Sequence, residues 1–310
     1  MASWGALSTE ASNPSSEGLD ALSSEEVVSL LLEEDRRGLE AALRSKEGIA
    51  RAASWVAEAL DGGGEVLFAG AGTSGRLGIL EAAECPPTFG TDPEQIRAVI
   101  AGGAEAVFEA REGAEDVSSD GARAAEGLGA GDLLIGVSAS AATPFVAGAL
   151  ASARSNGART VLVTCTPLDE VTAIADLVLA LDTGPEVLTG STRLKAGSAT
   201  KAVLNAITTA AMVRLGKVYG NLMVDLRPGS AKLRDRALRI IEAAGAVSRT
   251  EAEQLYDEAT GEVKTAIVMA LCDLGAERAR ERLRAASGHV RKALGNGSTA
   301  EKSGSARQER

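Results

Sequence analysis

The chain has 310 residues, of which 45% are hydrophobic and 24% charged, a balance typical of globular proteins that excludes a globally disordered chain. Its net charge of −11 disfavours binding to nucleic acid or to an anionic membrane surface, and an aromatic content of 3% leaves few side chains on which bases can stack. An anionic ligand would therefore have to be held by local backbone amides and a few basic side chains.

Cysteine and histidine usage narrows the possible chemistry. Cys85, Cys165 and Cys272 are odd in number and far apart, which argues against a disulfide framework and favours a reducing compartment. His289 is the only histidine, so a His-rich metal site is excluded and acid–base chemistry falls to carboxylates, Lys or Tyr. Residues 1–16 lack the pattern of a secretory signal, and no apolar run is long enough to span a membrane, so we expect a cytoplasmic protein.

The N-terminal part is predicted to be an arm followed by helices, over residues 1–54. Residues 1–22 are rich in Ser, Gly, Asn and Pro, which is typical of irregular structure. The spacing of Ser23 and Glu26 predicts a capping box at the start of a first helix. An apolar stripe predicts a second helix over residues 36–60.

Five short apolar runs, separated for the most part by helical stretches, follow. Such alternation is typical of an α/β domain whose parallel sheet is covered by helices on both faces, and we place this three-layer domain at residues 55–228. A long Ala-rich helix is predicted over residues 192–217. The predicted strands are residues 65–69, 97–101, 132–137, 160–164 and 177–181.

The C-terminal part is helical and charged. Four helical segments predict a small bundle over residues 229–295, and the polar, basic residues 296–310 are predicted to be a disordered tail. The predicted helical segments are residues 231–244, 250–258, 261–273 and 275–285.

A glycine-rich turn, Gly70–Arg76, connects the first predicted strand to a helix. Such a turn points free N–H groups and the positive end of a helix dipole at an anion. Its G-x-G-x-x-G spacing permits a dinucleotide, but the hydroxyls of Thr73 and Ser74 favour a phosphomonoester, and a tight turn without a ligand is the third interpretation. The acidic residue that a dinucleotide site needs after the second strand is absent, since Ile100 is followed by Ala101.

Two further turns rich in hydroxyl groups, Val137–Pro144 and Thr189–Lys195, also follow predicted strands. The carboxyl ends of parallel strands share one edge of a sheet, so the three turns are expected to converge on one phosphate, although Ser and Thr also cap helices for structural reasons. The predicted substrate-binding residues are Thr73, Ser74, Gly75, Ser140, Thr143, Ser191, Thr192 and Lys195.

The segment that begins at Gly70 and runs through Glu84-Cys-Pro-Pro-Thr-Phe-Gly90 closely resembles the signature of the N-acetylmuramic acid 6-phosphate etherases, a branch of the sugar-isomerase (SIS) superfamily. The resemblance implies a three-layer SIS domain with N-terminal helices and a C-terminal helical bundle. It covers most of the chain, including Thr9-Glu10…Asn13-Pro14, Glu112-Gly-Ala-Glu115-Asp116, Gly184–Gly197, Gly216–Asp225 and Val263–Met269.

The resemblance implies an enzyme of cell-wall amino-sugar recycling. A carbon–oxygen lyase of this family cleaves the D-lactyl ether at C3 of N-acetylmuramic acid 6-phosphate by elimination and then hydration. These steps require one base and one acid but no metal or organic cofactor. The family's catalytic pair maps onto Glu84, which would protonate the leaving oxygen, and Glu115, which would remove the C2 proton. From the residues alone, Glu84 could instead end a helix before two prolines, and Glu115 could belong to a solvated charged stretch.

Helix geometry raises a question about Glu84. A continuous helix from Ser74 to Glu84 would span about 15 Å, which is long for a hexose phosphate bound at the helix N-terminus. Either the helix ends early, or Glu84 serves a site completed by a neighbouring subunit. We expect the second arrangement, in a homodimer. The expected ligand is a small phosphosugar, and neither nucleic acid nor a membrane is expected to bind.

The chain departs from the family's pattern at one turn. Members usually carry Ala-Ser-Gly-Arg-Thr-Pro where this chain has Ala139-Ser-Ala-Ala-Thr-Pro144, so a guanidinium that can bind phosphate or carboxylate is lost and Arg76, Arg193 and Lys195 remain as candidate cations. Cys165-Thr166-Pro167 also stands where Cys-Asn-Pro is usual.

Two alternative functions remain. A phosphosugar isomerase would use Glu186 or another base near Ser191 and release no lactate. A non-catalytic phosphosugar sensor would resemble the related glucokinase regulatory protein.

Overall fold

The structure is a computed structural model that describes residues 7–172, 174–226 and 229–295. These described residues fall into two compact units, the first within Met1–Glu84 and Asp92–Ala211 and the second within Cys85–Thr91 and Met212–Arg310. The predicted boundaries at residues 54/55 and 228/229 rest on composition and motifs and stay predictions. The predicted disordered tail, residues 296–310, lies outside the described residues.

Two long helices open the first unit, α1 (Ser24–Arg44) and α2 (Lys46–Asp61). The predicted capping box is confirmed, because the Ser23 hydroxyl accepts from the Glu26 N–H while the Glu26 carboxylate accepts from the Ser23 N–H. The prediction of one helix over residues 36–60 is wrong. There is no glycine or proline between residue 32 and Gly38, and Gly38 is itself a buried residue of α1. The first helix therefore continues to Arg44, and the boundary between the two helices lies at Ser45.

The five predicted strands are confirmed. They form one parallel sheet in the order β2-β1-β3-β4-β5. The central strands β1 and β3 are apolar and buried throughout, and β4 is buried except for Arg159 at its start, as expected for a sheet covered by helices on each side. The strands are β1 (Val66–Gly70), β2 (Ile96–Ile100), β3 (Leu133–Val137), β4 (Arg159–Thr164) and β5 (Leu177–Ala180).

The strand order reverses direction at β1, because β2 pairs with one side of β1 and β3 with the other. In open α/β sheets, ligands bind beyond the carboxyl ends of the strands at such a reversal. Gly70, the last residue of β1, is in register with Val137, the last residue of β3, so the turns after these two strands lie side by side. The remaining helices with residues in this unit are α3 (Gly72–Phe89), α4 (Ser118–Ala124), α5 (Pro144–Ser155) and α6 (Lys195–Arg214), the last within the predicted range 192–217.

The second unit contains the predicted helical bundle. The four predicted helices are present, and a two-stranded antiparallel hairpin and a short fifth helix, which were not predicted, complete it. Its elements are β6 (Val218–Tyr219), β7 (Leu222–Met223), α7 (Ala231–Gly245), α8 (Arg249–Glu258), α9 (Val263–Cys272), α10 (Ala276–Ala285) and α11 (Val290–Leu294). Within the described residues of either unit, no helix has the length and apolar character needed to cross a membrane.

Candidate functional site

A cavity of about 320 Å³ lies in the first unit, at the edge of the sheet where the strands β1 and β3 end. All three predicted turns contribute to its wall, so their predicted convergence is seen in the structure. The predicted site residues that line it are Thr73, Ser74, Glu115, Ser140, Thr143 and Thr192.

The glycine-rich turn is shaped by close backbone approach. A Cβ on Gly70 would lie 2.7 Å from the Gly75 nitrogen, and a Cβ on Gly75 would lie 2.5 Å from Ile100 Cγ1. Neither position therefore accepts a side chain without movement. Gly75 is absent from the cavity wall, so its role in this structure is to let α3 start close to the sheet. The first turn of α3, with Thr73 and Ser74, borders the cavity, where unpaired N–H groups favour an anion.

The second turn contains a residue in a left-handed conformation that is not glycine. Ala141 adopts a left-handed conformation with φ of +57°, a region that glycine occupies without strain. The Ser138 and Thr143 hydroxyls are 2.8 Å apart, and the Ala142 N–H donates to Ser140 Oγ at 3.3 Å. These bonds hold the turn, and Ala142, which stands where the family pattern described above has arginine, lines the cavity.

Replacing Ala141 by glycine is expected to change the free energy of unfolding by less than about 0.5 kcal/mol, because relief of left-handed strain is offset by the loss of a buried methyl group and by the added flexibility of the unfolded chain. Thermal and urea unfolding of the variant measure the change. Ala139→Gly is the matched control, because Ala139 does not have a positive φ and the same replacement there should destabilise the protein. Equal destabilisation by both variants would contradict this account of the turn.

The third turn has two roles. Thr192 lines the cavity, whereas Ser191 and Lys195 do not. The Lys195 ammonium is buried, donates to Glu34 Oε2 at 2.5 Å and to the Pro185 carbonyl at 2.7 Å, and therefore fastens α6 to α1. Glu186, the candidate base of an isomerase, accepts the N–H groups of Lys195 and Ala196 at the start of α6, and burial raises the pKa of its carboxyl.

Glu115 lies on the cavity wall in a 3-10 turn, Ala114–Asp116, and is exposed to solvent. The loop before it is held by Arg76 of α3, whose guanidinium donates to the carbonyls of Val107 at 2.8 Å and Ala106 at 2.7 Å. Arg76 thus contributes to the position of the loop that carries Glu115. A neighbouring cavity of about 200 Å³ shares Glu115 and includes Arg76 in its wall.

Glu84 lies elsewhere. Helix α3 continues through Pro86 and Pro87 to Phe89, so the helix does not end early. One turn before Glu84, the buried carboxylate of Glu81 accepts from Asn205 and Thr208 of α6, which fixes the direction of α3 at this point. Glu84 itself is exposed and is not part of the cavity wall. The rise from Ser74 to Glu84 is about 15 Å at 1.5 Å per residue.

The charge of the cavity wall is negative. Among the described residues that line it are the carboxylates Glu10, Glu115 and Asp116, and none is Lys or Arg. Of the candidate cations, Arg76 and Lys195 are engaged as described above. Arg193 is exposed and does not line the cavity. An anion here would therefore be held by backbone N–H groups and hydroxyls.

Sequence reasoning missed the contribution of the N-terminal arm. Leu7, Thr9 and Glu10 line the cavity, although residues 1–22 were predicted only as an irregular arm. The sequence feature that could have indicated this contribution is the Thr9-Glu10…Asn13-Pro14 motif, which resembles the etherase family's pattern but was given no role.

A larger cavity, of about 460 Å³, lies in the second unit and contains none of the predicted site residues. Its cations already have carboxylate partners, since Lys264 lies 2.6 Å from Asp225 and Arg280 lies 2.9 Å from Glu262. The predicted site residues that line a cavity at the sheet edge are therefore found in the first unit.

Comparison with known proteins agrees with the geometry. The family model described as the glucokinase regulatory protein N-terminal SIS domain matches residues 48–154. Three curated relatives are each named N-acetylmuramic acid 6-phosphate etherase. The relative from Parasynechococcus marenigrum is 47% identical, and the match covers 94% of this chain and 92% of the relative.

The other two relatives are about as similar to this chain, over nearly all of their length. The one from Geobacillus thermodenitrificans is 48% identical over 93% of this chain and 98% of its own length. The one from Rubrobacter xylanophilus is 50% identical over 94% of this chain and 97% of its own length. Matches of this extent establish membership: the chain belongs to the N-acetylmuramic acid 6-phosphate etherase family.

Proposed function

We propose that the protein cleaves the D-lactyl ether of N-acetylmuramic acid 6-phosphate and releases N-acetylglucosamine 6-phosphate and D-lactate. The observation that carries this proposal is the cavity in which three hydroxyl-bearing turns and Glu115 come together. Family membership supplies the reaction, and the cavity supplies a place for a phosphate beside a carboxylate base.

The phosphate is proposed to bind at the start of α3. Its oxygens would accept hydrogen bonds from backbone N–H groups and from the hydroxyls of Thr73, Ser74 and Ser140. Thr143 and Thr192 extend the same polar wall, and the helix dipole favours the negative charge. Position 142 of this chain carries no guanidinium, so neutral donors would have to bind the phosphate here.

The chemical steps follow from the family's reaction. Opening of the sugar ring makes the C2 proton acidic, because it then lies beside an aldehyde. Glu115 would remove that proton, the C3–O bond would break, and Glu84 would give a proton to the departing lactate oxygen. Water then adds to C3 of the unsaturated aldehyde and returns a proton to C2, and the ring closes. These steps classify the enzyme as a carbon–oxygen lyase.

The position of Glu84 supports a shared site in a homodimer. Because α3 is continuous and Glu84 is off the cavity wall, Glu84 of one subunit is proposed to serve the cavity of the other. We also propose a cytoplasmic role in recycling the amino sugars of the cell wall.

A phosphosugar-sensing regulator is the second candidate. One observation favours it: the cavity of a single chain contains Glu115 but not Glu84, so the two proposed catalytic carboxylates are not both at hand. A phosphosugar isomerase is disfavoured, because Glu186 is occupied as the N-terminal cap of α6.

A coupled D-lactate assay with N-acetylmuramic acid 6-phosphate, in the presence of a chelator, tests the proposal. Lactate release establishes the etherase and shows that no loosely bound metal is needed. No lactate, together with thermal stabilisation by the same sugar phosphate, would support the sensor. Neither lactate nor stabilisation would mean that another sugar phosphate is the ligand.

A further inference from the structure

We propose that Thr9 and Glu10 of the N-terminal arm form the wall of the cavity that recognises the uncharged part of the sugar, and that they determine substrate specificity. The inference deepens the proposed function and rests on it for the identity of the sugar phosphate. It assigns a role to the Thr9-Glu10 motif, which the proposed reaction does not otherwise use.

Thr9 is the first observation. Thr9 is among the residues that line the cavity, it is only 2% exposed, and its buried hydroxyl has no hydrogen-bond partner within the described part of the chain. A buried hydroxyl without a partner is unfavourable, and most such groups in proteins are paired. Three other buried hydroxyls also have no partner, but none of them lines this cavity: Ser8, Thr91 and Thr183. Thr9 is therefore placed to pair with a ligand.

Glu10 is the second observation. Its carboxylate lies against the third turn, since a Cβ on Gly190 would be 2.9 Å from Glu10 Oε2. A carboxylate only accepts hydrogen bonds, and it repels the phosphate and the lactyl carboxylate. The ligand groups that suit it are neutral donors, namely the sugar hydroxyls and the N–H of the acetamido group. Glu10 thus indicates which side of the cavity receives the sugar.

The arm is anchored on both sides of these two residues. On one side, the Ser8 N–H donates to Glu170 Oε2 at 3.1 Å. On the other, the buried Asn13 amide donates to Glu34 Oε2 and to the Pro185 carbonyl, each at 3.0 Å. The same Glu34 carboxylate binds Lys195, so the arm, α1 and α6 share one buried network. Thr9 and Glu10 are therefore held in place before a ligand binds, which limits the entropy lost on binding.

Thr9→Val removes the hydroxyl with little change in shape. We expect affinity for N-acetylglucosamine 6-phosphate, measured by calorimetry, to fall about 10-fold, the effect of one lost hydrogen bond, while affinity for inorganic phosphate stays unchanged. The KM for the lactyl substrate should rise by a similar factor with little change in kcat. The melting temperature should rise, because a buried, unpaired hydroxyl has been removed.

Thr91→Val is the matched control, because Thr91 is equally buried and unpaired but lies away from the cavity. It should raise the melting temperature without altering binding. Thr9→Ser keeps a hydroxyl and should retain most of the wild-type affinity. Wild-type affinity of Thr9→Val for the sugar phosphate, or an equal loss for inorganic phosphate, would overturn the assignment.

Glu10→Gln separates recognition from acid–base chemistry. Glutamine keeps an acceptor oxygen, so KM should rise no more than about 10-fold and kcat should change less than about 3-fold. A kcat loss above about 100-fold at unchanged KM would make Glu10 an acid or base and overturn its role in recognition. Calorimetry needs no turnover, so failure of the etherase reaction in the wild type leaves the binding test of Thr9 intact.

Discussion

Replacing Glu115 by glutamine is expected to lower kcat by about 10²- to 10⁴-fold, with KM nearly unchanged, because the amide cannot remove the C2 proton. Glu115 is the carboxylate to which family resemblance assigns the role of base, and it also lines the cavity. The measurement is steady-state lactate release, with circular dichroism to verify that the fold is kept.

Glu109→Gln is the control for this experiment. Glu109 belongs to the same charged stretch and is exposed, but it does not line the cavity, so its variant should remain active. Deuterium exchange at C2 of the product gives a second readout, because it reports on proton removal directly and should be lost in the Glu115 variant. Full activity of Glu115→Gln would mean that another group acts as the base.

Glu84→Gln is expected to have a similarly large effect, and a mixture of the two inactive variants is expected to regain activity. In a hybrid dimer with shared sites, one site carries both substitutions and the other carries none. Random exchange of subunits should therefore restore about one quarter of the wild-type turnover. The measurement is lactate release after the two variants have been mixed and allowed to exchange.

The control is a mixture of either variant with itself, which should stay inactive. If Glu84 and Glu115 of the same subunit formed one site, each site of the hybrid would lack one carboxylate and no activity would return. A fully active monomer, detected by light scattering, would also contradict the shared site. Full activity of both single variants would remove the two-glutamate assignment altogether.

The sheet was predictable because its signal is local. Apolar runs bounded by glycine-rich turns specify buried strands, and the rule for parallel sheets then places the turns after β1 and β3 at one edge. Thr73 and Ser140 could be brought together on that basis, and Thr192 by the same rule applied to the segment that follows β5. The etherase family was predictable from motifs that extend over most of the chain.

The parts that were not predicted depend on contacts between distant residues. The ammonium of Lys195 has a buried carboxylate partner, Glu34, that is 161 residues away, and no pattern around Lys195 reveals it. The arm that lines the cavity is anchored by Asn13, whose hydrogen-bond partners lie in α1 and in the segment before α6. The break between α1 and α2 at Ser45 likewise has no glycine or proline beside it.

The negative wall of the cavity has a consequence for how substrate arrives. A protein of net charge −11, with three carboxylates and no described cation in the wall of its cavity, repels a sugar that carries a phosphate and a carboxylate. Added salt screens this repulsion, so the association rate, and kcat/KM where encounter limits it, should increase with ionic strength. Enzymes that attract charged substrates by long-range electrostatic forces show the opposite trend. In this protein, the sugar would be bound by short-range hydrogen bonds once it has entered the cavity.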